Sequence, residues 1–354
     1  MNKFLSEKIK FLSFILIIFV VFIHASNYKK AAAWEVTYRA GYTWPIEAFV
    51  SDGVTRVAVP LFFLVSGYLF FLNFNNTRSE IVDKLKKRLK TLLLPYLLWS
   101  AGVVLFYFVI QAIPKVGVFF SKELIRNYST SELLKTIFIN PINFQLWFLR
   151  DLMVLVLVSP VLYYLIKYLR LTIVILFAFL WLFDIRLQVL STESLLYFTL
   201  GAYLSFNKIN LYFSRLVKYG GYLIIAWLLV LILRITLIEM KLITVFENML
   251  LHKFGIMLGL IALWEFYDKM QEGKDMKNYK IYNLLSFSFF VYLFHEPILT
   301  IIQKVMLAVT GKSNTMILID YFSSVIITII ISLIVGYLFK KVLPSVYALS
   351  TGNR

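Results

Sequence analysis

The chain has 354 residues, of which 60% are hydrophobic and only 16% are charged. Soluble domains carry about 45–50% apolar and about 25% charged residues, so this composition excludes an ordinary soluble domain and indicates a polytopic membrane protein. The absence of cysteine excludes disulfides, thiolate metal sites and cysteine nucleophiles. The net charge of +17 fits basic loops at a membrane surface better than nucleic-acid binding.

Apolar runs along the chain predict the membrane-spanning helices. A helix needs about 20 apolar residues to cross a hydrocarbon core about 30 Å thick. The predicted spans are 11–26, 55–74, 91–113, 144–166, 171–185, 190–207, 219–238, 247–267, 282–303 and 316–339, of which the fifth and sixth are short enough to form a single hairpin. We therefore expect an all-α integral membrane protein, a bundle of about ten transmembrane helices, with one membrane domain over 1–345 and a short cytoplasmic tail over 346–354.

The distribution of lysine and arginine predicts the orientation. With the N-terminus inside, most of the 36 basic residues fall in inner segments. The positive-inside rule then places both termini in the cytoplasm. In the longest outer segment, 114–143, Ser129 and Glu132 form the pattern of a capping box before a short amphipathic helix over 133–139. We expect that helix to lie on the outer membrane surface.

Polar groups of five spans are predicted to lie at a similar depth near the outer face. They are His24, Asp52 and Arg56, Gln145, Arg150 and Asp151, His252 and Lys253, and His295 and Glu296. Charged groups within spans usually face a bundle interior or a wet cavity, which favours one outward-open polar cavity with His24 in its wall. Alternatively, Arg56 and Lys253 snorkel to the interface, Arg150 pairs with Asp151 or a carbonyl for structural reasons alone, and His252 is a neutral packing histidine.

The residue types in this predicted cavity suit proton transfer and anion binding. Histidine can take a proton from an attacking hydroxyl near neutral pH and return it later. Arginine suits a phosphate, a carboxylate or a developing oxyanion. The histidines are far apart and no His-Glu-x-x-His occurs, so we expect no metal site. Walker and Gly-x-Gly-x-x-Gly loops are also absent from the sequence.

Four stretches, in order along nearly the whole chain, carry a resemblance to a known family. They are the opening span ending in His24; Arg56-Val-Ala-Val-Pro-Leu-Phe-Phe-Leu-Val-Ser-Gly-Tyr68; Pro95-Tyr96 to Trp99 together with Leu146-Trp147-Phe148-Leu149-Arg150; and Tyr292-Leu-Phe-His295-Glu-Pro-Ile298. In these stretches the chain resembles the acyltransferase 3 family of bacterial multi-span membrane enzymes, in the branch that O-acylates surface polysaccharides.

The resemblance implies an activity and a location. Family members move an acyl group, usually acetyl, from cytoplasmic acyl-CoA to a carbohydrate hydroxyl on or crossing the membrane. We therefore expect a multi-pass O-acyltransferase of the bacterial inner membrane, with acetyl-CoA as donor, no metal, and a polysaccharide or glycolipid as acceptor. Succinyl is an alternative acyl group. The oligomeric state is not predicted.

The resemblance and the predicted depths together assign roles to particular residues. His24 maps onto the family's presumed catalytic base, and we expect Arg56 or Arg150 to stabilise the oxyanion or position the donor. Substrate contacts are expected from Asp52, Trp147, His295 and Glu296, and contacts to the CoA phosphates from Lys84, Lys87 and Arg88. Plain positive-inside anchoring explains that basic cluster equally well.

One departure from the family pattern concerns the first span. Many members carry an arginine eleven residues before the catalytic histidine, where this chain has Ser13. Lys10 lies one helical turn earlier and could substitute, although an ammonium lacks the planar fork of a guanidinium.

Two other classes of function also fit the sequence. A transporter or flippase for a polysaccharide or lipid-linked sugar would suit a polar outer cavity but would not depend on acyl-CoA. A membrane sensor or scaffold would not turn over any substrate.

Overall fold

The structure is a computed structural model that describes residues 3–26, 41–113, 123–209, 211, 214–271, 280–311 and 313–353. Helices are the regular secondary structure throughout these ranges. Their α-helices are α1 Lys3–Ala25, α2 Thr43–Ser51, α3 Ala58–Phe71, α4 Arg78–Arg88, α5 Leu94–Ala112, α6 Thr130–Phe138, α7 Trp147–Leu157, α8 Ser159–Leu169, α9 Leu171–Leu182, α10 Thr192–Phe206, α11 Ser214–Val217, α12 Gly220–Glu239, α13 Val245–Gln271, α14 Ser288–Thr310, α15 Asn314–Val342 and α16 Pro344–Ser350. The predicted all-α fold is confirmed.

Seven helical segments among the described residues are long and apolar enough to cross a membrane. They are Lys3–Ala25, Thr43–Phe71, Arg78–Ala112, Gly220–Glu239, Val245–Gln271, Tyr282–Thr310 and Asn314–Val342. The count rises to 8 if the interrupted pair Phe144–Leu157 and Ser159–Leu169 forms one span. The prediction of about ten spans is therefore not confirmed, because the fifth and sixth predicted spans form the shorter helices α9 and α10. The orientation of the termini stays a prediction.

The chain divides into two compact units. The first comprises Met1–Asn75 and Pro160–Leu333, and the second comprises Asn76–Ser159 and Ile334–Arg354. The first unit contains α1 to α3 and α9 to α14, and the second contains α4 to α7 and α16. The single domain over 1–345 stays a prediction.

In the first unit, α3 and α10 pack with their backbones in close approach. A Cβ added at Gly67 would lie 2.0 Å from the carbonyl oxygen of Phe198, and one added at Gly201 would lie 1.9 Å from the carbonyl oxygen of Leu64. Helices in a lipid environment are not driven together by the hydrophobic effect and associate largely through close packing. Small residues such as glycine permit that close packing. The short helix α10 is accordingly held by protein, and most of its side chains are buried.

Helix α1 is packed on several sides within the first unit. It contacts α14, α3, α2 and the 3₁₀ segment Val54–Val57. Lys8 lies near its N-terminal end and is 1% exposed, although the sequence placed it in a basic inner segment. Its Nζ lies 2.8 Å from Oδ2 of Asp268 and 3.7 Å from the ring centroid of Trp264. Lys8 therefore neutralises a buried carboxylate of α13 instead of lying at an exposed surface.

In the second unit, α4 continues through a π-helical turn, Leu89–Leu93, into α5. The predicted capping box is confirmed: Ser129 Oγ accepts from the Glu132 backbone N–H at 3.3 Å, and a Glu132 carboxylate oxygen accepts from the Ser129 N–H at 2.7 Å. The Ser129 hydroxyl also donates to this carboxylate at 2.6 Å, and the hydrogen bonds from the Ser129 hydroxyl and backbone N–H hold the pKa of Glu132 below its ordinary value. The capped helix α6 begins at Thr130, earlier than predicted. The C-terminal α16 packs on α5 through a hydrogen bond from Trp99 Nε1 to the Ser350 carbonyl.

Candidate active site

The structure joins the histidine at the end of α1 to the histidine of α14. His24 Nδ1 lies 2.8 Å from His295 Nε2, across 271 positions of sequence. The two rings are nearly parallel, with an interplanar angle of 16°. His295 is 0% exposed, whereas His24 is half-buried. His24 is therefore the member of the pair that a substrate can reach, and His295 lies behind it.

The hydrogen bonds of His295 fix the tautomers of both rings. Its Nδ1 lies 2.8 Å from the carbonyl oxygen of Tyr292 and 3.1 Å from that of Val291, so Nδ1 must carry the proton and donate. In a neutral His295 the Nε2 is then an acceptor, and His24 must donate from Nδ1. This leaves the lone pair of neutral His24 on Nε2, the nitrogen that a general base needs.

An interruption in α14 follows His295 directly. Pro297 has no N–H to donate within the helix, and Glu296 has non-helical backbone angles, φ −106° and ψ 134°. Beyond the kink, Gln303 Nε2 donates to the carbonyl oxygen of Ala25 at 2.7 Å, next to His24. Glu296 is buried and accepts a hydrogen bond from Thr300 at 2.9 Å. Helix α14 thus contacts the end of α1 twice, through His295 before the kink and through Gln303 after it.

A second polar group of the first unit is built around Asp52, at the C-terminal end of α2. Its carboxylate binds two arginines: Oδ1 lies 3.1 Å from Nη2 of Arg56, and Oδ2 lies 2.7 Å from Nη2 of Arg234. Arg234 also donates from Nη1 to the Asp52 carbonyl at 3.0 Å and from Nε to Asn248 Oδ1 at 2.8 Å. The 3₁₀ segment that carries Arg56 packs against α1.

Lys253 does not snorkel to an interface in this structure. It is 6% exposed, and its Nζ donates to the carbonyl oxygens of Trp181 and Leu182, at 3.1 Å for Leu182. These carbonyls end α9, where a cation is favoured by the orphan acceptors and the helix dipole. Lys253 thus has a structural role at the end of that helix. His252 is half-buried and interacts electrostatically with Asp52.

The remaining predicted site residues belong to the second unit. Arg150 Nη2 lies 3.3 Å from the fully buried Asp151 carboxylate, so the structural pairing considered from the sequence is present. Trp147 is half-buried in the first turn of the same helix, α7. Helix α7 contacts α4, the helix that carries the basic cluster.

The basic cluster of α4 has both exposed and partnered members. Lys87 is exposed, Arg88 is half-buried, and Lys84 Nζ lies 3.7 Å from a carboxylate oxygen of Glu80 one turn earlier. The Lys84–Glu80 pair supports the helix itself. Of the three residues predicted to bind phosphate, Lys87 is the exposed one.

The structure thus groups the predicted residues of the first unit in two places. His24 meets His295, with Glu296 at the following kink, and Asp52 meets Arg56. Arg234 and Asn248 are site residues that the sequence reasoning missed. The sequence did place Arg234 within the seventh predicted span, and this position could have identified it, because a charged residue inside a membrane span usually has a functional role or a charged partner.

In the part of the chain that is described, no group of three or more His, Cys, Asp or Glu side chains could hold a metal ion.

The comparisons with known proteins identify the family of the chain. The chain belongs to the acyltransferase 3 family, whose acyltransferase domain model matches residues 7–340. The protein is accordingly an acyltransferase-family membrane protein. A curated relative is the succinoglycan biosynthesis protein ExoH of Rhizobium meliloti (strain 1021), 27% identical over 380 aligned residues that cover 100% of this chain and 94% of the relative. No solved structure matches the chain significantly.

Proposed function

We propose that this protein is an O-acyltransferase of the bacterial inner membrane. It transfers an acetyl or other short acyl group from cytoplasmic acyl-CoA to a hydroxyl of a surface polysaccharide or glycolipid. Family membership supports the reaction class. The relative is a succinoglycan biosynthesis protein, which supports a carbohydrate acceptor.

The observation that carries the proposal is the hydrogen bond between His24 and His295. His24 Nε2 takes the proton of the acceptor hydroxyl as its oxygen attacks the thioester carbonyl carbon. The tetrahedral intermediate collapses, the carbon–sulfur bond breaks, and the sulfur leaves with the proton that His24 held. The products are the carbohydrate ester and CoA with its thiol restored. His295 holds the reacting imidazole in the required tautomer and orientation.

The arginines supply positive charge for the oxyanion and the donor. The side chain of Arg56 is 26% exposed, and its buried Nε has no hydrogen-bond partner among the described residues. A guanidinium with donors to spare suits a developing oxyanion. In the second unit, Arg150 has the same property at Nε and positions the donor. Trp147 and Glu296 contact substrate, and Lys84, Lys87 and Arg88 bind the phosphates of CoA.

Replacement of His24 tests the proposal. Membranes that contain the His24→Gln variant at wild-type abundance should transfer labelled acetyl from acetyl-CoA to the glycan fraction about 100-fold or more slowly than wild type, because general-base catalysis contributes about 10²–10⁴-fold. Arg78→Lys is the control, because it changes an exposed residue outside the proposed site. It should keep most of the activity.

Two outcomes would overturn different parts of the proposal. Full transfer by His24→Gln would reject His24 as the base while leaving the enzyme class intact. Wild-type membranes that neither consume acetyl-CoA or succinyl-CoA nor acylate the glycan would reject acyl transfer and favour a transporter.

A further inference from the structure

We propose that Arg234 is a positioning residue, which holds Arg56 in its reactive orientation through the carboxylate of Asp52. The inference rests on the proposed role of Arg56 at the oxyanion. It also changes the expected role of Asp52, from substrate contact to the bridge between two arginines.

The two arginines differ in how many guanidinium nitrogens contact other groups of the protein. Arg234 engages Nε, Nη1 and Nη2, with Asn248 Oδ1, the Asp52 carbonyl and Asp52 Oδ2, at 2.8, 3.0 and 2.7 Å. Its side chain is 6% exposed. Arg56 is bound to Asp52 through Nη2 alone, and its side chain is 26% exposed. Arg234 therefore serves the protein, whereas Arg56 keeps donors for a substrate.

Each arginine binds a different oxygen of the Asp52 carboxylate, and this arrangement explains how Arg234 influences Arg56 without touching it. Carboxylate and guanidinium prefer a bidentate pair with two parallel hydrogen bonds. Because Arg234 occupies Oδ2, Asp52 offers Arg56 only Oδ1. Without Arg234, Asp52 can turn both oxygens to Arg56, whose second donor is then lost to the substrate.

The backbone contact adds a second means of positioning. Asp52 is the C-cap residue of α2, and the 3₁₀ segment Val54–Val57 begins two residues later. Arg234 donates to the Asp52 carbonyl, and Asn248 on α13 in turn holds Arg234 Nε. The network thus fixes the start of the segment that carries Arg56 to both α12 and α13. Burial of an arginine in a span is costly, and this network accounts for its presence.

A double-mutant cycle with Arg234→Lys and Arg56→Lys tests the inference. Lysine keeps the charge but cannot make the three planar contacts. Arg234→Lys should lower kcat by about 10- to 100-fold, the size of a loss caused by misplacement of a catalytic group, with little change in the KM for acyl-CoA. Arg78→Lys, a change of an exposed arginine, is the control and should leave both constants unchanged.

The cycle separates positioning from mere structural support. If Arg234 acts through Arg56, the double variant should be about as active as Arg56→Lys alone, because neighbouring sites of one network are not additive. Losses that multiply, or an Arg234→Lys variant with wild-type kcat, would overturn the inference.

Hydrogen exchange gives a readout that does not depend on the proposed reaction. The amides of Asp52 to Val57 should exchange faster in Arg234→Lys than in wild type. Unchanged exchange would also overturn the inference. Faster exchange in a protein whose wild type shows no acyl transfer would instead reject the proposed function and leave the network intact.

Discussion

At the scale of single residues, the site depends on which nitrogen of each histidine carries the proton. The sequence could identify His24, because an ionisable ring at the end of a span is costly and the family pattern places a histidine there. It could not show that His295 contacts His24, since the two lie 271 residues apart. The sequence instead predicted a substrate contact for His295, and its burial behind His24 favours orientation.

The orienting role predicts the effect of His295→Phe. Phenylalanine keeps a ring in the buried position but removes the acceptor for His24 Nδ1–H. Without that hydrogen bond, the tautomer of His24 with its lone pair on Nε2 is no longer stabilised. The kcat should therefore fall by about 100-fold or more, as it does when the orienting partner of a catalytic histidine is removed. Steady-state kinetics on membranes of matched protein content would measure it. A kcat within twofold of wild type would contradict the orienting role.

At the scale of helices, close backbone approach decides where the short helix α10 lies. With 15 residues it is shorter than the roughly 20 needed to span the hydrocarbon core. Its glycine, Gly201, lies against the Leu64 carbonyl of α3, and Gly67 of α3 lies against the Phe198 carbonyl of α10. Helix α10 therefore packs as a buried partner of α3, and the count of about ten spans predicted from apolar runs is not confirmed among the described residues.

The glycine contacts predict a strong effect of one added methyl group. A Cβ at Gly201 would lie 1.9 Å from a backbone oxygen, so Gly201→Ala must push α3 and α10 apart. Overpacking of this kind costs about 1–3 kcal/mol or more, and thermal unfolding in detergent should occur at a lower temperature.

Gly102→Ala is the matched control for this prediction. Nothing lies within 4 Å of a Cβ at Gly102, in the middle of α5. The better helix propensity of alanine should leave stability unchanged or raise it by up to about 1 kcal/mol. Equal unfolding temperatures for the two variants would contradict the close approach of α3 and α10.

At the scale of the whole molecule, the distribution of charge predicts the orientation in the membrane. The segment before α5 contains Lys84, Lys86, Lys87, Arg88 and Lys90, and the positive-inside rule places it in the cytoplasm. The same rule places the loop that contains Asn140 outside.

The absence of cysteine makes this orientation directly testable. A membrane-impermeant maleimide should label Asn140→Cys in intact cells, because its loop is predicted to be outside. It should label Asn75→Cys only after permeabilisation, since that position precedes the basic segment. The cysteine-free parent should show no label under either condition. Labelling of Asn75→Cys in intact cells would reverse the orientation.

The sequence by itself determined that the chain is a helical membrane protein and that His24 and Arg56 are site candidates. Long apolar runs must satisfy their backbone hydrogen bonds internally, so hydropathy alone predicts helices. The family motifs are local stretches that are visible in one dimension. Tertiary structure decided the pairings: His24 with His295, Lys8 with Asp268, and Asp52 between Arg56 and Arg234. Apart from the local contact of Asp52 with Arg56, four residues away, these pairs join helices that are distant in sequence, and nothing in the local pattern of either partner specifies the other.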